Sequence, residues 1–460
     1  MEFIPHQYQQ DAIDRMVDLK QLALLLDPGL GKTSIALTAI TRLRKRTLIV
    51  APLNICYQVW PREIKKWDHT KDLVCTILHG PEKEKRFNSK AAIYIINPEG
   101  LKWLAKTIRK HRVFPFDILI IDESTEFKNF KSKRLTEHLA PMLPAFSRRY
   151  IMSGTPITKS YLDLWAQYYI LDLGARMGKT YYEYRGRYFY QTDKTGFSWD
   201  LFPRMEQDVK DLVADITIRV SGEDHLDLPE IHYNEITLTL PDPARKIYRK
   251  MMRELAVEVN GNQISAANAA VKSGKLQTIA NGFLYLTDID ERTGKTIKVG
   301  VEEIHDIKIQ NLRSLVTELN GNPLLVGYHY QHDLAMLKKA FPGVPYYGSG
   351  VSQQDKQKIE SDWNKGKLPL LFAQVKSASK GLNLQESGYN IYFYSLVWAW
   401  VDFEQFIKRL SRQGQKSSRV IVHVPMIEKS VDYLIWETLK QRDFQSQDFL
   451  KRFVSHLMEG

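Results

Sequence analysis

Residues 22–33 read Leu22-Ala23-Leu24-Leu25-Leu26-Asp27-Pro28-Gly29-Leu30-Gly31-Lys32-Thr33 and join an apolar run to a glycine-rich loop. The following segment, Ser34–Arg44, has apolar residues at helical spacing. A strand, a Gly-Lys-Thr loop and a helix in this order predict a phosphate-binding loop. Gly29 and Gly31 let backbone amides turn toward phosphate oxygens at the positive end of the helix. The strict pattern begins with glycine at position 26, where this chain has leucine.

Each side chain that closes this loop has a predicted role. Lys32 is expected to reach the β- and γ-phosphates of a nucleotide, and Thr33 to offer its hydroxyl to Mg²⁺. The loop therefore predicts a nucleoside triphosphate as ligand.

The apolar-run pattern continues through the first 160 residues. Short runs alternate with segments of helical character such as Asn54–Trp67. Buried strands separated by helices predict a parallel sheet covered on both faces. The predicted strands are Leu22–Leu26, Thr47–Ala51, Ala91–Ile96, Ile118–Ile121 and Arg149–Met152.

An acidic pair, Asp122-Glu123, closes the run Ile118–Ile121. The carboxyl end of a buried strand is where nucleotide-binding sheets hold their metal ion. We expect Asp122 to bind Mg²⁺ and Glu123 to orient the attacking water. Acidic pairs are common in solvated turns, so the prediction depends on the apolar strand before this pair and on the upstream loop.

The middle of the chain has a different composition. Between about Tyr161 and Arg219 aromatic and basic residues crowd together, above all over Tyr181–Tyr190, and a helical insertion is predicted. That stretch is either a DNA-facing surface or the aromatic core of the insertion. Pro243–Val259 is predicted as a helix opened by proline. Two short runs within Leu284–Val299 predict an exposed hairpin.

Alternation of strands and helices returns after about residue 305. Helical segments separate the runs, which predicts a second α/β half of similar size, and Val431 to Met458 is predicted to be helix. The predicted strands are Leu324–Val326, Leu370–Phe372, Ile391–Tyr394 and Val420–Val424.

The late segment Gln405–Gln415 places Gln405, Arg409 and Arg412 at spacings of four and three residues. On a helix these positions share one face. Charge that develops on a transferring γ-phosphoryl group needs a fixed cation, which arginine provides. Two arginines alone would more often belong to an ordinary basic surface helix.

Composition limits the function classes. The chain has 460 residues, with 65 Lys plus Arg against 53 Asp plus Glu, a net charge of +12. A hydrophobic share of 43% is typical of a folded protein with several domains. Two cysteines exclude a disulfide scaffold, and no apolar run approaches the roughly 20 residues of a membrane span. The positive charge indicates a polyanionic partner.

Taken in order, these segments resemble the motifs of superfamily-two helicases and, more narrowly, Swi/Snf-type double-stranded DNA translocases. Pro5-His6-Gln7 resembles the adenine-reading motif, and Ser153-Gly154-Thr155-Pro156 the coupling motif. Ser379–Leu384 resembles the fifth motif. Arg409–Gln415 ends in Arg-x-Gly-Gln and resembles the arginine-finger motif. Single motifs are modestly specific, whereas the ordered set from residue 5 to about 435 is highly specific.

The resemblance implies an α/β fold with two tandem RecA-like lobes, parallel sheets and helical insertions. It divides the chain into lobe one (1–165), a helical insertion and linker (166–230), a helical segment with a hairpin (231–304), and lobe two with a C-terminal helix (305–460). ATP would lie between the lobes, and cleft closure would move a bound DNA strand.

The resemblance also implies a set of site residues, with ATP and Mg²⁺ as cofactors. Lys32, Asp122, Glu123, Arg409 and Arg412 would be catalytic, and Thr33 and Asp122 would bind Mg²⁺. Ser153 and Thr155 would couple the sites. The remaining ATP-binding residues would be Gln7, Gly29, Gly31, Gly381 and Gln405, and the DNA-contacting residues Asn54, Ser349, Ser379 and Lys380.

Departures from eukaryotic remodellers point to compact bacterial or phage members. Asp-Glu-Ser-Thr stands at residues 122–125, where remodellers usually have Asp-Glu-Ala-His or Asp-Glu-Gly-His. Before the last motif, Ser395 stands in place of their Asp, and Trp398-Ala399-Trp400 in place of their Trp-Asn-Pro. We expect a monomeric, cytoplasmic motor on duplex DNA in a bacterial cell or phage-infected host, with no membrane contact and any protein partner unknown. The alternatives are a strand-separating helicase, with the Leu284–Val299 hairpin as a wedge, and a non-enzymatic ATP-gated DNA clamp or recruitment module.

Overall fold

The computed structural model describes residues 1–158, 160–192, 198–221, 228–260, 266–289, 296–379 and 382–441. The chain forms two compact units, residues 1–227 and 228–460. Each unit is built on one parallel sheet, as the alternation of apolar runs and helices predicts.

Seven strands make the sheet of the first unit, in the order β3-β4-β2-β5-β6-β1-β9, all parallel. A short antiparallel hairpin, β7–β8, lies outside it. The strands are β1 (Gln21–Leu26), β2 (Thr47–Val50), β3 (Cys75–Ile77), β4 (Ile93–Ile96), β5 (Ile118–Asp122), β6 (Arg148–Ser153), β7 (Phe189–Gln191), β8 (Trp199–Leu201) and β9 (Thr217–Val220).

Helices cover both faces of this sheet. Leu22, Leu24 and Leu26 pack into one apolar cluster, and Ala23 and Leu25 into the other, because successive side chains of a strand point to opposite faces. The helices are α1 (Gln7–Asp18), α2 (Lys32–Leu43), α3 (Leu53–Gln58), α4 (Trp60–Lys66), α5 (Lys83–Phe87), α6 (Leu101–His111), α7 (Asp163–Asp172), α8 (Tyr181–Tyr188) and α9 (Met205–Asp211).

The second unit contains a parallel sheet in the order β10-β17-β16-β13-β15-β14 and the antiparallel pair β11–β12. Its strands are β10 (Glu230–Leu238), β11 (Phe283–Ile289), β12 (Thr296–Glu303), β13 (Leu324–Tyr328), β14 (Tyr346–Tyr347), β15 (Leu370–Gln374), β16 (Asn390–Phe393) and β17 (Arg419–Ile427). Its helices are α10 (Asp242–Asn260), α11 (Ala266–Asn281), α12 (Ile307–Glu318), α13 (Gln331–Ala340), α14 (Gln353–Asn364), α15 (Val375–Ala378), α16 (Trp400–Ile407) and α17 (Val431–Lys440).

The prediction of one helix over Asn54–Trp67 is wrong, because the segment forms α3 and α4 with a break at Val59. Pro61 has no N–H to bond the carbonyl of Tyr57, so the first helix cannot continue through it.

The segment predicted as a helical insertion holds α7, α8 and α9 but also three short strands. Of these, β9 pairs with β1 and extends the sheet of the first unit. The stretch Tyr181–Tyr190 divides its aromatic side chains, with Tyr184 and Tyr188 in the core and Tyr182 and Tyr190 exposed. The three boundaries between the four predicted segments stay predictions.

The predicted hairpin is present as β11 paired with β12, while its turn, residues 290–295, lies outside the described residues. The predicted C-terminal helix is described as α17, and residues 442–458 of that prediction also lie outside. Within the described part of the chain, no helix is both long and apolar enough to span a membrane.

Candidate nucleotide-binding site

The Gly-Lys-Thr loop lies between the end of β1 and the start of α2, as predicted. Gly29 (φ 98°) and Gly31 (φ 78°) both have left-handed backbone conformations. A Cβ atom on Gly31 would lie 2.5 Å from Nε2 of Gln9, so both conformation and space favour glycine at this position. Leu26, which replaces the first glycine of the strict pattern, is a buried strand residue.

Lys32 and Thr33 are the first two residues of α2. The Lys32 ammonium donates to the carbonyls of Leu26 (2.6 Å) and Asp27 (3.2 Å), which hold it over the loop. The N-terminus of α2, the backbone N–H groups oriented by the two glycines and the fixed Lys32 ammonium are together suited to bind a phosphate chain.

Asp122 is the last residue of β5, at the same carboxyl edge of the sheet as the loop. Burial, and secondly the charge of Glu123, raise the pKa of Asp122 to about 6. The charge of Lys32 and the indole N–H of Trp60, which donates to Oδ2 at 3.0 Å, oppose that shift. A buried carboxylate near a lysine, with hydrogen bonds from the Trp60 indole and the Glu123 backbone, has the chemistry of a Mg²⁺ ligand.

Glu123 follows Asp122 in a left-handed conformation (φ 65°) that residues other than glycine seldom adopt. Its Oε1 accepts from the Thr125 hydroxyl (2.6 Å) and the Ser153 hydroxyl (3.3 Å). The backbone N–H of Thr155 in turn donates to Ser153 Oγ (3.1 Å). These contacts fix the second carboxylate and join it to the coupling segment.

A second chain of contacts joins the same two segments. The buried Ser124 hydroxyl donates to Gln167 Oε1 (2.6 Å), and the Gln167 amide donates to the carbonyl of Pro156 (2.7 Å). A Cβ atom on Gly154 would lie 3.0 Å from Cδ of Pro28 in the phosphate loop. Movement of the coupling segment Ser153–Pro156 would therefore shift the acidic pair and the phosphate-binding loop as well.

The two N-terminal glutamines have different surroundings. Gln7 lies on the exposed side of α1 and its amide donates to Asp11 (2.8 Å). Gln9 is buried against the loop, where its Nε2 donates to the Leu30 carbonyl (3.2 Å) and its Oε1 accepts from the backbone N–H of His6 (3.0 Å). The geometry favours Gln9 over the predicted Gln7 as the glutamine that acts on the nucleotide loop.

Replacing Gln9 with alanine is expected to weaken ATP binding about tenfold, since a buried hydrogen-bonding side chain contributes about 1–2 kcal/mol. Gln7→Ala is the matched control and should leave affinity within about twofold, because its bond to Asp11 is exposed. Titration with a fluorescent ATP analogue measures both. A large loss in Gln7→Ala with normal affinity in Gln9→Ala would reverse the assignment.

The predicted arginines of the second unit lie beyond a helix, not on its face, because α16 ends at Ile407. Arg409 is buried, and its guanidinium donates to the carbonyls of Gln405 (2.9 Å) and Leu382 (3.1 Å). The half-buried Arg412 donates to the side-chain oxygen of Asn383. Both arginines therefore contact the segment after Ser379, through a turn and not through helical spacing.

The remaining predicted residues vary in accessibility. Ser379 is buried, and its hydroxyl lies within hydrogen-bond distance of the Lys376 carbonyl (3.0 Å) and the Asp402 carboxylate (3.4 Å). The exposed Ser349 donates to Gln374 (3.2 Å), and Asn54 is half-buried in α3. Lys380 and Gly381 lie outside the described residues.

Sequence reasoning missed three residues of the first unit: Gln9, Trp60 and Gln167. Gln9 stands two residues after the predicted Gln7, just beyond the quoted motif Pro5-His6-Gln7. Trp60 and Gln167 lie 62 and 43 residues from their partners Asp122 and Ser124, and no local pattern marks such distant pairs.

Two family models match the chain: the SNF2-related domain over residues 8–284 and the helicase conserved C-terminal domain over residues 307–414. Protein p41 of Acyrthosiphon pisum secondary endosymbiont phage 1 is 33% identical over 95% of both chains. YwqA of Bacillus subtilis (strain 168), whose name proposes an ATP-dependent helicase/translocase, is 22% identical. That match covers 94% of this chain and 47% of YwqA, so the chain spans about half the length of this relative.

Among solved structures, the SWI2/SNF2 ATPase core of Sulfolobus solfataricus in complex with dsDNA aligns with 96% of this chain and 92% of that chain. The identity is 18% and the TM-score 0.43.

Proposed function

The chain belongs to the SNF2-related family and carries a helicase conserved C-terminal domain, and on that premise we propose that it is a DNA-stimulated ATPase that moves along duplex DNA. One observation carries the proposal: Lys32, Asp122, Glu123 and Ser153 meet at one edge of one sheet. A pure binding module has no need of a second, water-orienting carboxylate fixed by two hydroxyls.

The first unit fits ATP with Mg²⁺. The loop amides and Lys32 would hold the phosphate chain, while Asp122 and the Thr33 hydroxyl would hold the ion. When bound, Mg²⁺ neutralises charge on the β- and γ-phosphates. The buried Asp122 carboxylate supports this assignment, because a metal ion would offset the desolvation that raises its pKa.

Glu123 would accept a hydrogen bond from the attacking water and orient it toward the γ-phosphate. Thr125 and Ser153 donate to one oxygen of this carboxylate, Oε1. Their bonds keep the side chain in place. A change at Ser153 or Thr155 would reorient Glu123, which is how the coupling segment would link DNA contact to turnover.

Arg412 would stabilise the charge that develops on the γ-phosphoryl group. Arg409, which donates to the Gln405 carbonyl, would support it. The two roles differ in our proposal. Arg409 is buried with its donors on backbone carbonyls and would position the segment, whereas Arg412 is half-buried and would act on the nucleotide. Gly381 remains a proposed ATP-binding residue on the resemblance alone.

The DNA contacts are proposed at Asn54, Ser349 and Lys380, which would touch phosphates and leave the bases unread. Ser379 would position that segment, since its hydroxyl is buried. The net charge of +12 supports a polyanionic partner. We further propose a monomer in the cytoplasm of a bacterial cell or phage-infected host.

A triplex-displacement assay tests movement directly. A fluorescent third strand on a duplex should be released when ATP is present, and release should stop in the Glu123→Gln variant. ATP hydrolysis stimulated by the duplex without any displacement would contradict translocation and favour the ATP-gated clamp.

The hairpin β11–β12 favours a second candidate, a strand-separating helicase. Leu286 and Val301 on this hairpin are exposed apolar side chains, as a wedge between strands requires. A forked duplex with one fluorescent strand distinguishes the candidates. ATP-dependent release of that strand, reduced by Leu286→Ser, would favour separation.

A further inference from the structure

The amino edge of the first sheet is strongly basic and has no part in the nucleotide site. Three loops enter adjacent strands there: the loop before β2, the loop before β4 and the loop between α6 and β5. These loops and the last turn of α6 carry eight exposed cationic or ionisable side chains, which we call the amino-edge patch: Arg44, Lys45, Arg46, Lys90, Arg109, Lys110, His111 and Arg112.

Backbone hydrogen bonds keep the three loops together. The N–H groups of Asp117 and Ile118 both donate to the Arg46 carbonyl (2.9 and 3.1 Å), and the N–H of Thr47 donates to the Ala92 carbonyl (3.0 Å). The charges therefore lie on a fixed frame and not on independent loops.

Within the described part of the chain, no ion pair neutralises any lysine or arginine of the amino-edge patch. Arg44 and Arg112 follow α2 and α6 in left-handed conformations (φ 51° and 52°), where glycine is usual. Attraction to the negative helix ends accounts for those two residues and for Arg109, Lys110 and His111 in the last turn of α6. It does not account for Lys45, Arg46 or Lys90, which follow no helix end directly.

A cavity of about 300 Å³ lies within the amino-edge patch. Its polar lining comes from Arg46, Asn88, Ser89, Lys90 and His111, and its apolar and aromatic lining from Phe87, Tyr94, Val113 and Pro115. Cationic and amide donors around a concave surface suit phosphate oxygens.

The patch is separate from the nucleotide site. The nucleotide loop and Asp122 stand at the carboxyl edge of the sheet, and β2, which runs from one edge to the other, rises about 13 Å. A polyanion on the patch would therefore leave the ATP-binding edge open.

We propose that the amino-edge patch binds the backbone of a second duplex DNA segment, so that one molecule holds two segments at once. This inference rests on the proposed function for the identity of the polyanion. The observations favour nucleic acid over an acidic protein, because every member of the patch is cationic or ionisable and, among the described residues of its three loops, Val113 is the one large apolar side chain that is exposed.

A bridging assay tests the proposal with the full chain. One duplex is attached to beads, and recruitment of a second, fluorescent duplex is measured at fixed salt. Two variants each remove three charges, Arg44→Gln/Lys45→Gln/Arg46→Gln and Lys90→Gln/Lys110→Gln/Arg112→Gln. The matched control, Lys246→Gln/Arg249→Gln/Arg253→Gln, removes three exposed charges from α10 of the second unit.

We expect each patch variant to lose bridging at least tenfold, with a salt dependence shallower by about 2–3 units of slope, while the control bridges normally. ATP hydrolysis stimulated by a short single duplex should be unchanged in all three. Normal bridging in the patch variants, or none in the unaltered protein, would overturn the proposal. Loss of single-duplex stimulation together with bridging would also overturn it, since the patch would then be the primary DNA surface.

Binding of the patch to anionic vesicles without DNA bridging would likewise overturn the proposal in favour of a lipid surface. Failure of the proposed motor function is distinguishable, because it would appear as absent DNA-stimulated hydrolysis while bridging persists.

Discussion

Glu123→Gln is expected to lower ATP turnover at least a hundredfold, within the range of about 10²–10⁴ that a positioned base contributes. The substituted amide keeps the size of the side chain and can still accept from Thr125 and Ser153 through its oxygen. It cannot hold the attacking water in the same way, because half of the group now donates hydrogen bonds. ATP affinity should stay near that of the unaltered protein, since Lys32, Thr33 and Asp122 are unchanged.

Single-turnover hydrolysis and analogue binding measure the two quantities separately. Glu126→Gln is the matched control three residues away, where the carboxylate pairs with Arg134 at 3.1 Å. That variant should hydrolyse ATP within a few-fold of the unaltered rate. Turnover close to normal in Glu123→Gln would remove the catalytic assignment.

Arg412→Ala should lower turnover about a thousandfold or more, the effect typical of an arginine that stabilises charge on a transferring phosphoryl group. Thermal unfolding should change little, because Arg412 is half-buried and its guanidinium donates to a side chain, that of Asn383, which can bond water instead. Arg412→Lys keeps the charge but loses the planar fork, so only partial recovery is expected.

Arg409→Ala separates a structural role from a chemical one. Its guanidinium donates to two backbone carbonyls, so alanine would leave buried acceptors without donors and lower the free energy of unfolding by about 1–3 kcal/mol. Normal turnover in Arg412→Ala, or a loss of stability equal to that of Arg409→Ala, would contradict the roles proposed for the two residues.

The parallel sheets could be predicted from sequence because buried strands are continuous apolar runs. Ile118–Ile121 and Leu22–Leu26 carry that signal in every residue, and both are strands. Edge strands do not carry it. For example, β10 is mostly exposed and mixes polar with apolar residues, so it has no continuous apolar run.

The nucleotide loop and acidic pair could be predicted because each follows its strand directly. Contacts between distant segments could not. The bond from Trp60 to Asp122 and the bond from Ser124 to Gln167 depend on how helices pack on the sheet. Helical spacing also failed for Arg409 and Arg412, since α16 ends at Ile407 and a turn sets their direction.

The central claim is that duplex DNA controls ATP hydrolysis by this chain. The most direct test is the ATPase rate at one fixed salt concentration with no nucleic acid, duplex DNA, single-stranded DNA or RNA, since binding of basic proteins falls steeply with ionic strength. We predict strong stimulation by duplex DNA above all other conditions. Stimulation by single strands or RNA alone, or no hydrolysis under any condition, would contradict the account.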